Sequence, residues 1–246
     1  MTLPRIRLQA SLDVTTASPL LRGIVLALQF AETSGGIGLT AKGAFNRKFV
    51  HWAAIEFQWP GFMAQSLFEE NKQLNETDFL PLSTLRDLAL RLKFLRKSKS
   101  SLVASDRGLA LLKNPASAFD GIASEYLFGL PQGPEQIGED FDPLNLWASL
   151  LRLVELKGNQ GFSPLELLRD LYPDLATKSD LEIVLKTWAV RSDLKFDYLR
   201  RLCWLGLMHE DRRYRRPTED GIYHKTPLWT ACVDWQTDSR KELILH

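Results

Sequence analysis

The sequence has almost no cysteine: Cys203 and Cys232 are the two in 246 residues. One pair in a chain this long is no disulfide framework, so a buried apolar core has to hold the fold, and a reducing cytoplasm is the expected setting. Long apolar runs are lacking as well. The best of them, Gly23 to Leu28, is bounded by Arg22 and Gln29 and preceded by Asp13, Thr15 and Thr16, which fits neither a signal peptide nor a membrane span. No glycine-rich phosphate loop occurs: Gly35-Gly36-Ile37-Gly38 follows a helical pattern and precedes a short strand, the reverse of what such loops require. Net charge is close to nil, +1 from 31 basic and 30 acidic residues. Disulfide-stapled secreted scaffolds, membrane spans and P-loop nucleotide enzymes are thereby set aside.

The near-zero charge conceals segregation. Residues 1–83 carry seven charges of each sign, whereas 84–113 carry eight basic against two acidic. Residues 114–185 hold four basic and twelve acidic, 186–216 nine and four, and 217–246 three and five. Two basic zones therefore flank an acidic one, a pattern that bears on partners rather than on fold. The second basic zone runs into Arg212-Arg213-Tyr214-Arg215-Arg216-Pro217-Thr218-Glu219-Asp220-Gly221, four arginines around a tyrosine and then a turn-forming end.

The apolar pattern gives mostly helices. Ser18-Pro19 is a helix start, Ser as cap and Pro at the first position, followed by Leu20, Ile24 and Leu28 to about Thr33. Ser34-Gly35-Gly36 ends it, and Ile37 to Leu39 suffices for a short strand. Thr40 is expected to cap a helix with Phe45, Phe49, Trp52, Ala53 and Phe57 on one face, stopped at Trp59-Pro60-Gly61. Ser83 is expected to cap a second helix with Leu85, Leu88, Ala89, Leu92 and Leu95 inward and Arg86, Arg91, Lys93, Arg96 and Lys97 outward. A turn at Lys99-Ser100-Ser101, a strand at Leu102-Val103 and a helix capped by Ser105 follow. Residues 131–143, PQGPEQIGEDFDP, make the best linker. Beyond it come a helix ending at Lys157-Gly158, a capping box at Ser163-Pro164-Leu165-Glu166, and helices around 180–191 and 194–206. The domain expectation is thus 1–130, with two repeated units, the 131–143 linker, and 144–246.

Ser or Thr followed three residues later by Gly occurs at Thr40-Ala41-Lys42-Gly43, Ser105-Asp106-Arg107-Gly108 and Thr218-Glu219-Asp220-Gly221. The hydroxyl satisfies free N–H groups where a strand hands over to a helix, and Gly allows close approach. A helix ending in Leu205-Gly206-Leu207, a charged turn over 208–217 and Thr218 to Gly221 resembles the winged-helix variant of helix-turn-helix. Leu88 to Leu95, the turn 96–104 and Ser105 to Gly108 resemble it too. More narrowly, Gly36 to Lys48 together with the middle repeat resembles the helical and winged-helix region trailing the Ri-plasmid open-reading-frame-three-like proteins of bacteria. The resemblance covers roughly residues 18 to 240 and lacks that family's separate N-terminal domain and any cysteine-rich metal-binding tail. It implies an α+β, mainly α fold of tandem winged-helix-like units with short β-wings.

A winged helix bound to DNA places a recognition helix in the major groove and its wing along the backbone or in the minor groove. The corresponding candidates are Arg86, Arg91, Lys93, Arg96, Lys97 and Lys99 in the middle unit, with Lys195, Arg200, Arg201, Arg212, Arg213, Tyr214, Arg215 and Arg216 in the C-terminal one. Arginine suits the task because its planar fork grips phosphate or guanine at two points. The expected function is non-catalytic binding of double-stranded DNA by a bacterial cytoplasmic regulator or component of a DNA-associated system. The alternative is a protein-interaction scaffold, including self-association. No cofactor, metal or membrane is expected. Asp142, Glu155 and Lys157 resemble the acids and lysine of a metal-dependent nuclease, but Leu146 to Leu156 has helical period where that chemistry uses strands. Cys203, His209, His224 and Cys232 are zinc-type ligands whose spacings match no compact site.

Overall fold

The computed structural model describes residues 3–9, 12–130, 143–173, 188–212 and 220–235. The fold is α+β and mainly α: the described residues form helices of up to 15 residues and three small antiparallel sheets. The described residues form two compact units, one spanning Leu12–Leu130 with Trp204–Gly206, the other made of the remainder. The opening strand β1 (Arg5–Ile6) belongs to the second unit, where it pairs with Val233 and Asp234. Of the expected linker, all but Pro143 lies outside the described residues.

In the first unit α1 (Val14–Ala17) leads to α2 (Pro19–Thr33), whose N-terminus is capped as the sequence predicts, Leu21 N–H donating to Ser18 Oγ at 3.2 Å. Leu20, Leu21, Ile24 and Leu28 are fully buried at 0% exposure, so α2 is the central helix of the core. β2 (Ile37–Gly38) follows, then α3 (Arg47–Glu56), α4 (Ala64–Glu70), a 3-10 turn at Glu76–Asp78 and α5 (Leu80–Arg91). A hairpin of β3 (Leu95–Ser98) and β4 (Ser101–Ala104) comes next, then α6 (Asp106–Lys113), α7 (Phe119–Ser124) and a π turn at Glu125–Gly129. Strand order is β2-β4-β3, with Ile37 opposite Leu102 and Lys97 opposite Leu102 on its other side.

Two expected caps are displaced. Thr40 to Gly43 is a turn, not a helix start: Gly43 N–H donates to the Thr40 carbonyl at 2.9 Å with Gly43 at φ +83. The helix begins six residues on, where Asn46 Oδ1 accepts from Phe49 N–H at 3.0 Å. Ser83 lies inside α5 and its hydroxyl donates back to the Leu80 carbonyl, because the helix already starts at Leu80-Pro81. α5 stops at Arg91, which moves Lys93, Arg96 and Lys97 off its face and onto the hairpin. Residues 12–113 are therefore one unit of helix, strand, helices, hairpin and capped helix, where the sequence suggested two repeats.

The second unit runs through α8 (Pro143–Lys157) and α9 (Pro164–Leu171), the latter opened by the predicted capping box: Glu166 N–H donates to Ser163 Oγ and Ser163 N–H to Glu166 Oε2 at 2.7 Å. Residues 188–205 are helical without the expected break near 192, passing through a π turn at Leu194–Leu199 into α10 (Arg200–Leu205). β5 (Met208–Asp211) and β6 (Ile222–Lys225) form a second hairpin, followed by α11 (Pro227–Cys232) and β7 (Val233–Asp234). Phe162 bridges Tyr223 of β6 as β2 pairs β4 in the first unit. Gly221 precedes a strand, so the helix expected after Thr218 is replaced by one opening at Thr226-Pro227; Thr218 itself lies outside the described residues.

The two hairpins enter and leave alike. Phe94 N–H donates to Ala89 O at 2.8 Å and Leu207 N–H to Leu202 O at 2.9 Å, the same six-residue helix-ending bond. It turns on a left-handed residue, Lys93 at φ +59 in the first case and Gly206 at φ +90 in the second. At the exit, Ser105 N–H returns to Phe94 O and Thr226 N–H to Leu207 O.

Candidate nucleic-acid interface

The first hairpin is fixed from three sides. Leu39 N–H donates to Ser100 O at its tip, Ser105 Oγ donates to Lys93 O at its base, and Gly108 N–H donates to Ser105 Oγ at 3.0 Å. A Cβ on Gly108 would stand 2.3 Å from the Phe94 carbonyl oxygen, so the Ser-x-x-Gly motif at 105–108 works as the sequence predicts: Ser caps and Gly admits the hairpin backbone.

The charged side chains of this hairpin, from Lys93 to Ala104, are all basic. Lys93, Arg96, Lys97 and Lys99 are all exposed, and no carboxylate partner stands against any of them among the described residues. Arg107 joins them: it is exposed, and its guanidinium lies 5.4 Å from the ring of Phe94, next in sequence to Lys93. Sequence reasoning passed over Arg107 because it falls inside the folding motif, yet its charge had been counted in the basic zone. Lys93 and Lys99, at φ +59 and +52, bracket β3 in the left-handed region. That conformation costs a non-glycine residue roughly 1–2 kcal/mol. Glycine would relieve it, and both positions hold lysine.

Arg86 and Arg91, expected as contacts, are engaged in ion pairs within the fold. Glu76, 4% exposed, accepts from the Phe45 N–H and pairs with Arg86 at 2.7 Å, while Arg86 also donates to Gly43 O. Burial pushes the Glu76 carboxyl above its ordinary range, against the pull of the Phe45 N–H and Arg86. Arg91 pairs with Glu125 at 2.7 Å and donates to Gly129 O at 3.0 Å, tying the end of α5 to the π turn. These two arginines join elements of the fold.

In the second unit the cations are largely matched. Asp220, two residues before β6, pairs with Arg191 at 2.5 Å and Lys195 at 3.2 Å. Arg212 pairs with Glu210 at 3.0 Å, and Arg200 lies 5.4 Å from the Phe196 ring. Arg201 is half-buried on α10. Arg213, Tyr214, Arg215 and Arg216 lie outside the described residues.

The residues considered for catalysis are engaged in structure. Glu155 accepts from Trp229 Nε1 at 2.6 Å and from Lys225 Nζ at 3.4 Å; Lys157 pairs with Asp170; Asp142 lies outside the described residues. His209 and His224 stack across the β5–β6 register at 5.2 Å, and burial pushes the Cys203 thiol up to about 12. No group of three or more His, Cys, Asp or Glu arranged for a metal occurs among the described residues.

No solved structure matches the chain. Residues 16–117 match the family model described as the Y4jL N-terminal domain, and residues 138–227 match that of the y4jL C-terminal domain. Over 199 residues the chain is 42% identical to the uncharacterized protein y4jL of Sinorhizobium fredii (strain NBRC 101917 / NGR234), an alignment covering 81% of this chain and 90% of that protein. With both domain models met in order and a relative matched over most of its length, the chain belongs to the y4jL family.

Proposed function

We propose that the chain is a non-catalytic DNA-binding protein of two winged-helix-like units, with the β3–β4 hairpin as the contact surface, serving a bacterial cytoplasmic regulator or DNA-associated system. The observation that carries this reading is the set Lys93, Arg96, Lys97 and Lys99, exposed on a braced ribbon and lacking carboxylate partners among the described residues. Cations already neutralised by Asp or Glu gain little from phosphate; unmatched ones release counterions on binding. The order of elements supports the winged-helix assignment: helix, strand, helices, hairpin, capped helix, with the first strand beside the last.

Fluorescence anisotropy of duplex DNA with the full chain tests it. Four phosphate contacts give a slope of about −3.6 in log affinity against log salt. Replacing Lys93, Arg96, Lys97 and Lys99 by Gln is expected to flatten that slope and abolish binding at moderate salt. Unchanged affinity would overturn the proposal.

A second reading, a protein-interaction or self-association scaffold, is favoured by Leu80 and Leu90, each 38% exposed on α5. Sedimentation showing a dimer that Leu90→Asp dissociates, with no DNA binding, would select it.

A further inference from the structure

α5 holds the place of the recognition helix in the first unit, between the preceding helices and the hairpin. Its solvent stripe consists of Leu80, Ser83, Thr84, Asp87, Leu90 and Arg91, set by three- and four-residue steps. Base reading in the major groove uses forked or amide donors, with Arg on guanine and Asn or Gln on adenine. The stripe has one such fork, Arg91 in its last turn, and that fork is paired with Glu125. Its two leucines are half-exposed, its Ser83 hydroxyl is spent on Leu80 O at 2.9 Å, and Asp87 brings a negative charge toward a polyanion.

The two forks that α5 carries are aimed elsewhere. Arg86 is held by Glu76 in a pair whose acid is 4% exposed, and withdrawing it would strand a buried carboxylate. Arg91 is more easily freed, being a partly exposed pair, but it stands in the last turn of α5, whereas a reading helix contacts bases with its N-terminal residues. The hairpin and the start of α6 offer the opposite: five exposed cations, Lys93, Arg96, Lys97 and Lys99 on a hairpin pinned at tip and base, with Arg107 on α6 beside it. Phosphate contacts of this kind fix position and carry no sequence information.

Resting on the reading of the hairpin as a DNA contact, we infer that the first unit engages duplex DNA through its wing alone, on the phosphate backbone and without base selection by α5. The substrate class is double-stranded DNA of any sequence.

The test uses the full chain and duplexes of about 20 base pairs, with AT-rich, GC-rich and mixed sequences, together with an A-form RNA duplex of the same length. The expected result is equal affinity for the three DNAs within about threefold. Lys97→Gln should lower the salt slope by about 0.9, the share of one phosphate. Thr84→Ala and Asp87→Asn should each change affinity less than twofold and leave the slope alone. A consensus recovered from a randomised duplex pool and lost with Thr84→Ala would overturn the inference while leaving DNA binding intact. Tighter binding to the RNA duplex would overturn it as well. Absence of binding to every duplex at low salt would remove the functional proposal and the inference together.

Discussion

The two hairpins have the same entrance and exit but handle charge in opposite ways. In the first, the helix turns out on Lys93 and the ribbon carries cations with no carboxylate partners among the described residues. In the second, it turns out on Gly206, and the cations that flank it find acids: Arg191 and Lys195 on Asp220, Arg212 on Glu210, Lys225 on Glu155. Among the described residues, the same backbone solution thus carries cations without carboxylate partners in one unit and paired cations in the other. Basic content alone does not separate the two, since both zones carry an excess of Lys and Arg. What separates them is where the carboxylates stand.

The strongest way to break the comparison is to remove a carboxylate that holds cations inward. Glu76→Ala leaves Arg86 half-buried without its acid and the Phe45 N–H without its acceptor, and is expected to destabilise the chain by about 3–5 kcal/mol. Urea unfolding checks this, and a loss under 1 kcal/mol would show that Arg86 does not depend on Glu76. Next come the two turn-out residues, whose substitutions should have opposite signs. Gly206→Ala forces φ +90 on alanine and sets its Cβ 2.2 Å from the Ala17 carbonyl oxygen, so a loss of about 2 kcal/mol is expected. Lys93→Gly relieves a left-handed lysine and should raise stability by about 1 kcal/mol while weakening DNA binding. Paired melts and anisotropy titrations would reveal whether stability and contact trade off at that position.

Smaller effects concern the caps. Ser105→Ala and Ser163→Ala each remove a hydroxyl that takes a helix N–H and should cost about 1 kcal/mol apiece. Only Ser105→Ala should also loosen the hairpin, through the lost bond to Lys93 O, and hydrogen exchange at Phe94 and Ser105 would register it. Smallest is a difference in pH dependence between two glutamates. The Ser163 N–H and hydroxyl hold Glu166 below the usual carboxylate range, so its contribution is present above that range and fades as pH falls through the depressed value. Burial lifts Glu76, so its contribution runs the other way and declines as pH rises through the raised value. Acid titrations of Glu166→Gln and Glu76→Gln should therefore change the slope of stability against pH in opposite senses.

Local chemistry was legible in the sequence. Ser18-Pro19 and Ser163-Pro164-Leu165-Glu166 each carry two or more coincident signals, and both open helices where expected. The bare Thr-x-x-Gly at 40–43 misled because a turn ending on a left-handed glycine uses the same residues as a cap; the decisive bond, Gly43 N–H to Thr40 O, has no signature of its own. Which candidate cations are ion-paired was not legible for a related reason. Arg86 and Lys97 look alike along a chain, but the partner that removes Arg86 from the surface is ten residues away, and Arg91's is 34 away across the fold. Charge at a position is local information. Whether that charge is spent depends on tertiary neighbours.

Among the described residues, strand β3 lies at the margin of its sheet, next to β4 on one side and with no strand on the other. Such a margin is a template for pairing with another chain, and basic side chains along it keep copies apart by mutual repulsion. On that principle Arg96 and Lys97 would guard the margin against a second copy, whatever ligand they meet. A polyanion that neutralises them would also lift that protection, so saturating DNA should bring these margins together and favour ordered stacking of bound copies. Glutamine replacements would leave the margin unguarded and lower solubility, whereas Glu at the same two positions would still repel a second copy while refusing DNA.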